Sequence, residues 1–258
     1  MSTVIDVPAG GAWFKGHFPD RPILPGVAQI ALVLDALARE TGHAPVLRGI
    51  AFARLRQLVL PGERLELVTR ASAAGHLRFD LKRGAVQVAN GELIIGTPPN
   101  APEATVSSRA ASNQITDAPA LDDLLPHRPP MRFLTAVLSE TAEGLTGNAR
   151  IPGQCALVSS GSAAPVAAIE AAAQAAAAWE ALRRRREAGR AGPRIGYLVA
   201  LRDVVFFTDQ VPADRDLLVS VNLEAIAQPL THYRIEIALD GRPVARGTIA
   251  TYLSEDPA

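Results

Sequence analysis

Two ionisable residues lie in sequence surroundings that favour acid–base chemistry. His17 lies in a loop rich in proline and glycine, and a neutral imidazole can take up a proton near neutral pH. Glu170 lies in an almost unbroken apolar run, where desolvation favours the neutral carboxyl group that can donate a proton. Gln174 comes one helical turn later, so it projects from the same face and could orient Glu170.

Composition and charge exclude several other kinds of function. Lys+Arg and Asp+Glu number 26 each among 258 residues, so the overall charge does not favour nucleic acid as a partner. The single Cys155 excludes an internal disulfide and a cysteine-based zinc site, which fits a reducing compartment. We find neither a signal-peptide pattern nor an apolar run of about 20 residues that could span a membrane, and we predict a cytoplasmic protein.

The elements that must position these residues occur twice along the chain. Residues 27–38 are apolar nearly all round and predict a buried helix, and residues 165–179 predict a second one with Pro165 in its first turn. Antiparallel strands follow each helix, and Asn90-Gly91 and Asp240-Gly241 each predict the turn of a hairpin. The pattern indicates a duplicated α+β unit, in which a sheet wraps round one buried helix.

A linker separates the two copies of this unit. Residues 97–120 are rich in Pro, Ser, Ala, Asn and Thr and show neither helical nor strand periodicity. Structureless loops of this length are uncommon inside compact domains. We therefore predict an N-terminal domain over residues 1–96 and a C-terminal domain over residues 121–258.

Three motifs resemble one family of enzymes. The loop Phe14-Lys-Gly-His-Phe-Pro-Asp-Arg-Pro-Ile-Leu-Pro-Gly-Val27 resembles the G-H-F-P-x-x-P-I-x-P-G-V signature of hot-dog-fold bacterial 3-hydroxyacyl-acyl-carrier-protein dehydratases. In the second half, Leu124-Leu-Pro-His-Arg resembles the L-P-H-R segment of that family, and Ile169-Glu-Ala-Ala-Ala-Gln174 resembles its catalytic helix. Gly196-Tyr-Leu-Val-Ala-Leu-Arg-Asp203 is similar to the dehydratase-like proteins of aryl-polyene biosynthesis, where two unlike hot-dog subunits pair. The resemblance covers most of the chain outside the linker and implies two hot-dog domains in an intramolecular pseudodimer.

The departures from the family pattern suggest how the two halves cooperate. In the family, the catalytic histidine precedes the catalytic acid by 14 positions, but that spacing leads from His17 to Ala31 and back from Glu170 to Ala156. Each half therefore keeps one catalytic residue and lacks the other. Because two subunits of the family build each site together, the resemblance implies one complete site, with His17 as base and Glu170 as acid, and one vestigial site.

The resemblance implies a specific reaction, the dehydration of a 3-hydroxyacyl thioester to a trans-2-enoyl thioester. The thioester oxygen gains negative charge in this reaction, and backbone N–H groups at a helix start can stabilise it. Gly26, Val27 and Val166 are candidates for this role, and the sequence leaves open which helix start serves the intact site. The chemistry needs no metal, nucleotide or redox cofactor, and we find no motif for one.

An acyl carrier protein is the expected partner, and arginines are candidates for its docking site. The run Arg183, Arg184, Arg185 and Arg186 follows the second helix, where the cations could equally complement the helix dipole, and Arg54 and Arg56 could assist docking. We expect His127 to shape the mouth of the cavity or cap a turn.

Fatty-acid-like, aryl-polyene and polyketide pathways fit this function; thioester hydrolysis and a non-catalytic acyl-binding scaffold are the alternatives. The pseudodimer could also associate further.

Overall fold

The computed structural model of the protein describes residues 2–101, 120–188 and 194–257. The first half contains one helix and five strands: β1 (Ser2–Asp6), α1 (Gly26–Thr41), β2 (Leu47–Leu55), β3 (Arg64–Ala73), β4 (His76–Arg83) and β5 (Val86–Ile95). Residues 102–119 of the predicted linker lie outside the described residues. The predicted domain boundaries therefore stay a prediction.

The second half repeats this plan with additional short strands. Its elements are α2 (Leu121–Leu124), β6 (Leu134–Glu140), β7 (Gly144–Arg150), β8 (Val158–Ser159), β9 (Ser162–Ala163), a 3-10 turn (Pro165–Ala167), α3 (Ala168–Ala188), β10 (Arg194–Phe206), β11 (Val211–Pro212), β12 (Asp216–Ala227), β13 (Leu230–Leu239) and β14 (Arg242–Pro257). Both predicted helices are present, and both extend further towards the C-terminus than predicted.

One antiparallel sheet joins the two halves. Its order is β1-β3-β4-β5-β2-β10-β14-β13-β12-β7-β6, so β2 of the first half pairs directly with β10 of the second. A separate three-stranded sheet contains β11, β9 and β8. The long sheet curves round α1 and α3, whose apolar faces form the core together with its inner side chains. Continuous pairing across β2 and β10 fixes the position of one half against the other.

Alanine allows α3 to lie close to its neighbours. Most of its alanines are fully buried, and the helix contacts β6, β7, β10, β12, β13 and β14 as well as α1. Trp179 is fully buried in the middle of the helix, where its indole N–H donates to Thr141 O at 3.0 Å. Pro165 occupies the 3-10 turn that precedes α3, as expected of a residue without an N–H.

One of the two predicted hairpin turns is wrong. β5 continues through Asn90-Gly91 without a turn. Gly91 lies where the neighbouring strands come too close for a side chain, because an added Cβ would lie 2.5 Å from Phe52 O and 2.6 Å from the Phe79 ring. The turn lies between β4 and β5, at Gly84 with a φ of +58°. Asp240-Gly241 does form a turn, with positive φ at both residues, as a type I′ hairpin requires.

Among the described residues, no helix is long and apolar enough to cross a membrane.

Candidate active site

A cavity of about 390 Å³ opens between the two halves, and both halves line it. The loop after β1, the start of α1 and the end of β2 contribute from the first half. The face of α3 and the strands β10 and β14 contribute from the second. The residues that line the cavity include His17, Gly26, Gln29, Arg56, His127, Glu170, Ala173, Ala177, Glu180 and Leu198.

His17 is buried at this cavity with one ring nitrogen fixed. Its Nδ1 lies 2.8 Å from Ile23 O, and its ring stacks on Phe18 with a centroid distance of 4.2 Å. Since a carbonyl oxygen only accepts, Nδ1 carries the hydrogen and Nε2 keeps the lone pair of the neutral ring. His17 is 7% exposed, so a substrate can reach Nε2 only through the cavity.

Glu170, which is 3% exposed, comes from the opposite half and is held by Gln174. Gln174 Nε2 donates to Glu170 Oε1 at 3.0 Å and to Met131 O at 2.7 Å. Gln174 Oε1 accepts from the backbone N–H groups of Phe133 at 2.7 Å and Leu134 at 3.1 Å. The amide therefore satisfies buried backbone donors and fixes the carboxylate, the arrangement expected from its place one turn along the helix.

The site contains a third ionisable residue that the sequence interpretation placed elsewhere. His127 is 4% exposed, and its Nε2 lies 3.4 Å from Glu170 Oε1, so it lies inside the site and not at the mouth or at a turn. Its ring centroid is 5.3 Å from that of His17. The signal was available in the Leu-Pro-His-Arg motif, but nothing in a single sequence shows that residues 17 and 127 meet.

The expectation that burial keeps Glu170 neutral is wrong, because it leaves out the neighbours of the carboxyl group. Burial does raise the pKa of Glu170, but the contact with His127, the charge of His17 and the hydrogen bond from Gln174 lower it, and the net direction is below the ordinary value. Burial lowers the pKa of His17 to about 4, against the opposing effect of the Glu170 charge. The resting pair at neutral pH is therefore a neutral imidazole and a carboxylate.

The structure separates the candidate oxyanion donors. Gly26 is the first residue of α1 and lines the cavity with His17 and Glu170. Its N–H belongs to the first turn of the helix, which has no internal acceptor for such groups. Val27 and Val166 are buried outside the cavity lining. Of the three candidates, Gly26 at the start of α1 is the one that lines the cavity with His17 and Glu170.

Metal chemistry is not assigned to this site. One ligand atom from each of His17, His127 and Glu170 lies within 4.8 Å of the other two, a spacing within the reach of a small cation. A cation there would occupy the base nitrogen and the carboxylate that acid–base chemistry requires to be free. Cys155, with its pKa raised by burial to about 11, is a buried thiol unsuited to act as a nucleophile near neutral pH.

Most of the arginine run on α3 is engaged in internal ion pairs. Arg183 contacts Glu180 and Glu187, Arg185 donates to Asp123 O at 3.0 Å, and Arg186 contacts Glu140. These contacts favour the structural interpretation of the run. Arg54 and Arg56 are exposed at the end of β2, and Arg56 lines the cavity.

A curved antiparallel sheet wrapped round two central helices, with an acid–base pair drawn from both halves, defines a double hot-dog protein of the dehydratase class. The chain belongs to the ApeP-like dehydratase family: residues 119–258 match the family described as ApeP dehydratase, and residues 1–92 match the one described as ApeI dehydratase. The tandem arrangement agrees with the predicted fusion of two paired dehydratase subunits.

Parts of the chain resemble curated dehydratases. The chain is 35% identical over 69 residues to 3-hydroxyacyl-[acyl-carrier-protein] dehydratase FabZ of Clostridium beijerinckii, and 43% identical over 65 residues to FabZ of Agrobacterium fabrum. These matches cover 24% and 21% of this chain, and 49% and 40% of the relatives, so the chain spans half their length or less.

Two solved structures resemble the fold over its whole length. The dehydratase domain of RzxB from Pseudomonas fluorescens has a TM-score of 0.69 at 16% identity, covering 97% of this chain and 93% of that one. A monomeric dehydratase domain from a trans-AT polyketide synthase split module has a TM-score of 0.72 at 12% identity, covering 98% of each chain. Both show the double hot-dog fold.

Proposed function

We propose that the protein dehydrates 3-hydroxyacyl thioesters to trans-2-enoyl thioesters, with one composite site in which His17 is the base and Glu170 the acid. The observation that carries this proposal is their convergence: the two residues come from different halves, and a ring nitrogen of His17 lies within 4.8 Å of a carboxylate oxygen of Glu170 in one cavity. Neither half contains both groups, so the tandem chain supplies what one hot-dog unit lacks.

The resting protonation states suggest how one proton serves the whole reaction. Neutral His17 takes the C2 proton at Nε2, and the Glu170 carboxylate stabilises the imidazolium that forms. The proton then passes to Glu170 and from there to the 3-hydroxyl group, whose C–O bond breaks as water leaves. The C2–H pair of electrons becomes the C2–C3 double bond, and both residues return to their resting states.

The thioester oxygen carries negative charge after the C2 proton is removed. The Gly26 N–H, at the positive end of α1, is the proposed donor, because Gly26 lines the same cavity as His17 and Glu170. A side chain at Gly26 would crowd the cavity wall, because an added Cβ would lie 2.7 Å from Leu55 Cδ1, which would have to shift. A glycine here allows the thioester to approach the backbone closely.

The acyl chain would extend from the pair along α3. Ala173 and Ala177 follow Glu170 on the face of the helix that lines the cavity, and their small side chains leave room for a ligand. Seven residues from Glu170 to Ala177 correspond to about 10 Å of helix. Leu198 adds to the apolar wall, which suits an acyl chain and excludes water from the reacting atoms.

An acyl carrier protein is the proposed carrier of the substrate, in a fatty-acid-like, aryl-polyene or polyketide pathway. Carrier proteins of this kind are acidic, and Arg56 is an exposed cation at the cavity. Arg54 lies two residues earlier, also exposed, and could extend the same contact. The arginines of α3 are weaker candidates because acidic neighbours already pair with them.

The test follows enoyl product from a 3-hydroxyacyl thioester with wild type, His17→Ala, Glu170→Ala and an equimolar mixture of the two variants. Activity in wild type alone would support one intramolecular site. Recovery of activity in the mixture would show that the site forms between chains, and full activity in either variant would refute the shared site. Release of free thiol without enoyl product would instead indicate a thioesterase.

A further inference from the structure

His127 is a buried histidine of the site that the proposed reaction does not use. Its Nε2 lies 3.4 Å from Glu170 Oε1, and its Nδ1 is buried without a hydrogen-bond partner. Its ring meets the Phe18 ring edge to face, with the centroids 4.9 Å apart. A buried nitrogen without a hydrogen-bond partner lowers the stability of the fold. A histidine at this position therefore suggests that its contact with the carboxylate has a function.

The backbone around His127 is held against the loop of His17. Arg128 N donates to Gly16 O at 2.9 Å, and the Arg128 guanidinium donates to Leu125 O at 2.8 Å and to His127 O at 2.9 Å. These contacts close the turn that carries His127 and connect it to the other half. The position of the imidazole relative to Glu170 is therefore set by the same junction that positions His17.

The surroundings of Glu170 give His127 a defined electrostatic effect. The titratable groups that face Glu170 are His17 from the loop after β1, His127 from the segment after α2, and the Cys155 thiol from the turn after β7. Gln174 adds a neutral donor. Among the effects that lower the pKa of Glu170 and oppose its desolvation, the contact with His127 is the largest.

We propose that His127 is a positioning residue that acts through Glu170: its Nε2–H holds the buried carboxylate towards His17 and keeps it ionised until His17 has taken the substrate proton. The proposal rests on the proposed dehydration at His17 and Glu170. In the first step, an ionised Glu170 stabilises the His17 imidazolium, whereas a Glu170 that is already protonated would leave it without a counter-charge. Loss of the His127 donor therefore impairs proton abstraction at low pH first.

The proposal can be tested without turnover, by infrared titration of the carboxyl group of Glu170 in the full-length protein. The C=O stretch that Glu170→Gln removes identifies the protonated carboxyl group. We expect its midpoint to rise by about one pH unit or more in His127→Ala, because desolvation then acts with less opposition. In His127→Gln, whose amide N–H can take the place of Nε2–H, the midpoint should return at least halfway to the wild-type value.

The same variants give a kinetic readout with the N-acetylcysteamine thioester of 3-hydroxydecanoate as the probe. We expect the acid limb of kcat/KM in His127→Ala to move to higher pH together with the infrared midpoint, with a loss of about a few-fold at pH 5 that disappears by pH 7. An unchanged infrared midpoint in a folded His127→Ala protein would overturn the proposal. A wild-type protein without turnover would refute the proposed dehydration, while the infrared titration would still decide the role of His127.

Discussion

Gly16 and Arg128 meet where the two halves join, and their contact leaves no room for a side chain at position 16. Arg128 N donates to Gly16 O at 2.9 Å, and a Cβ on Gly16 would lie 2.0 Å from Arg128 O. Each residue adjoins a histidine of the site, so this one backbone contact brings His17 and His127 side by side. Both histidines then face Glu170.

This contact predicts that Gly16→Ala impairs both stability and activity. Gly16 has a φ of +86°, and so does Gly11, where an added Cβ would meet nothing within 4 Å. Gly11→Ala should cost about 1 kcal/mol through its backbone conformation alone. Gly16→Ala should cost roughly 3 kcal/mol because the clash with Arg128 adds to that strain.

Denaturant unfolding of the two variants measures this difference, and turnover at equal folded concentration shows its effect on the site. Gly11→Ala should keep wild-type kcat, whereas Gly16→Ala should lose most of it. Equal unfolding free energies for the two variants would show that the contact between Gly16 and Arg128 is not rigid.

The pKa of His17 predicts an unusual pH dependence. An ordinary histidine with a pKa of 6.5 would lose its base form as the pH falls through that value, but burial lowers the pKa of His17 to about 4. The pKa of Glu170 is also below its ordinary value of 4.5. We therefore expect kcat/KM to stay nearly constant from pH 7 to pH 5 and to fall only below that range.

The measurement is kcat/KM for a 3-hydroxyacyl thioester across pH 4–8, with protein stability followed in parallel by circular dichroism. A loss of activity centred near pH 6.5 in a folded protein would contradict this account, because it would show that His17 titrates as an exposed histidine does.

The sequence predicts the individual elements of this site, but it does not predict the tertiary contacts that bring them together. The loop of His17 and the helix of Glu170 each have a local pattern, so the fold class and both residues could be proposed from motif and periodicity. The sequence could not show that His127 lies in the site. Its position depends on a contact between Gly16 and Arg128, which are 112 positions apart in the chain. The predicted protonation state of Glu170 is wrong. The apolar sequence of the helix indicates that the carboxyl group is desolvated, but it does not show the neighbouring donors that oppose this effect.

Cavity shape predicts selectivity for chain length. Ala177 lies about 10 Å along α3 from Glu170 and faces the cavity, so Ala177→Leu should fill the space that a long acyl chain needs. We expect kcat/KM for a 3-hydroxydecanoyl thioester to fall about tenfold or more, because displaced methylenes lose their apolar contacts. A 3-hydroxybutanoyl thioester, which ends before this position, should react at close to the wild-type rate.

The two substrates control for each other in one protein. An equal loss on both would mean that the substitution disturbs the site itself, and an equal retention on both would mean that the acyl chain does not follow α3.

The cavity mouth predicts which cation recognises the carrier. Arg56→Glu should lower kcat/KM for a 3-hydroxyacyl-acyl-carrier-protein about tenfold at low salt, because a reversed rim charge repels an acidic partner and slows its association. The same variant should turn over the N-acetylcysteamine thioester as wild type does, since this small substrate lacks the carrier. Arg48→Glu is the matched control: Arg48 is exposed on β2, the strand that Arg56 directly follows, but does not line the cavity, so the change should leave both substrates unaffected. The effect of Arg56→Glu should shrink as salt is raised, and an equal loss on both substrates would place Arg56 in the chemistry of the site and not in docking.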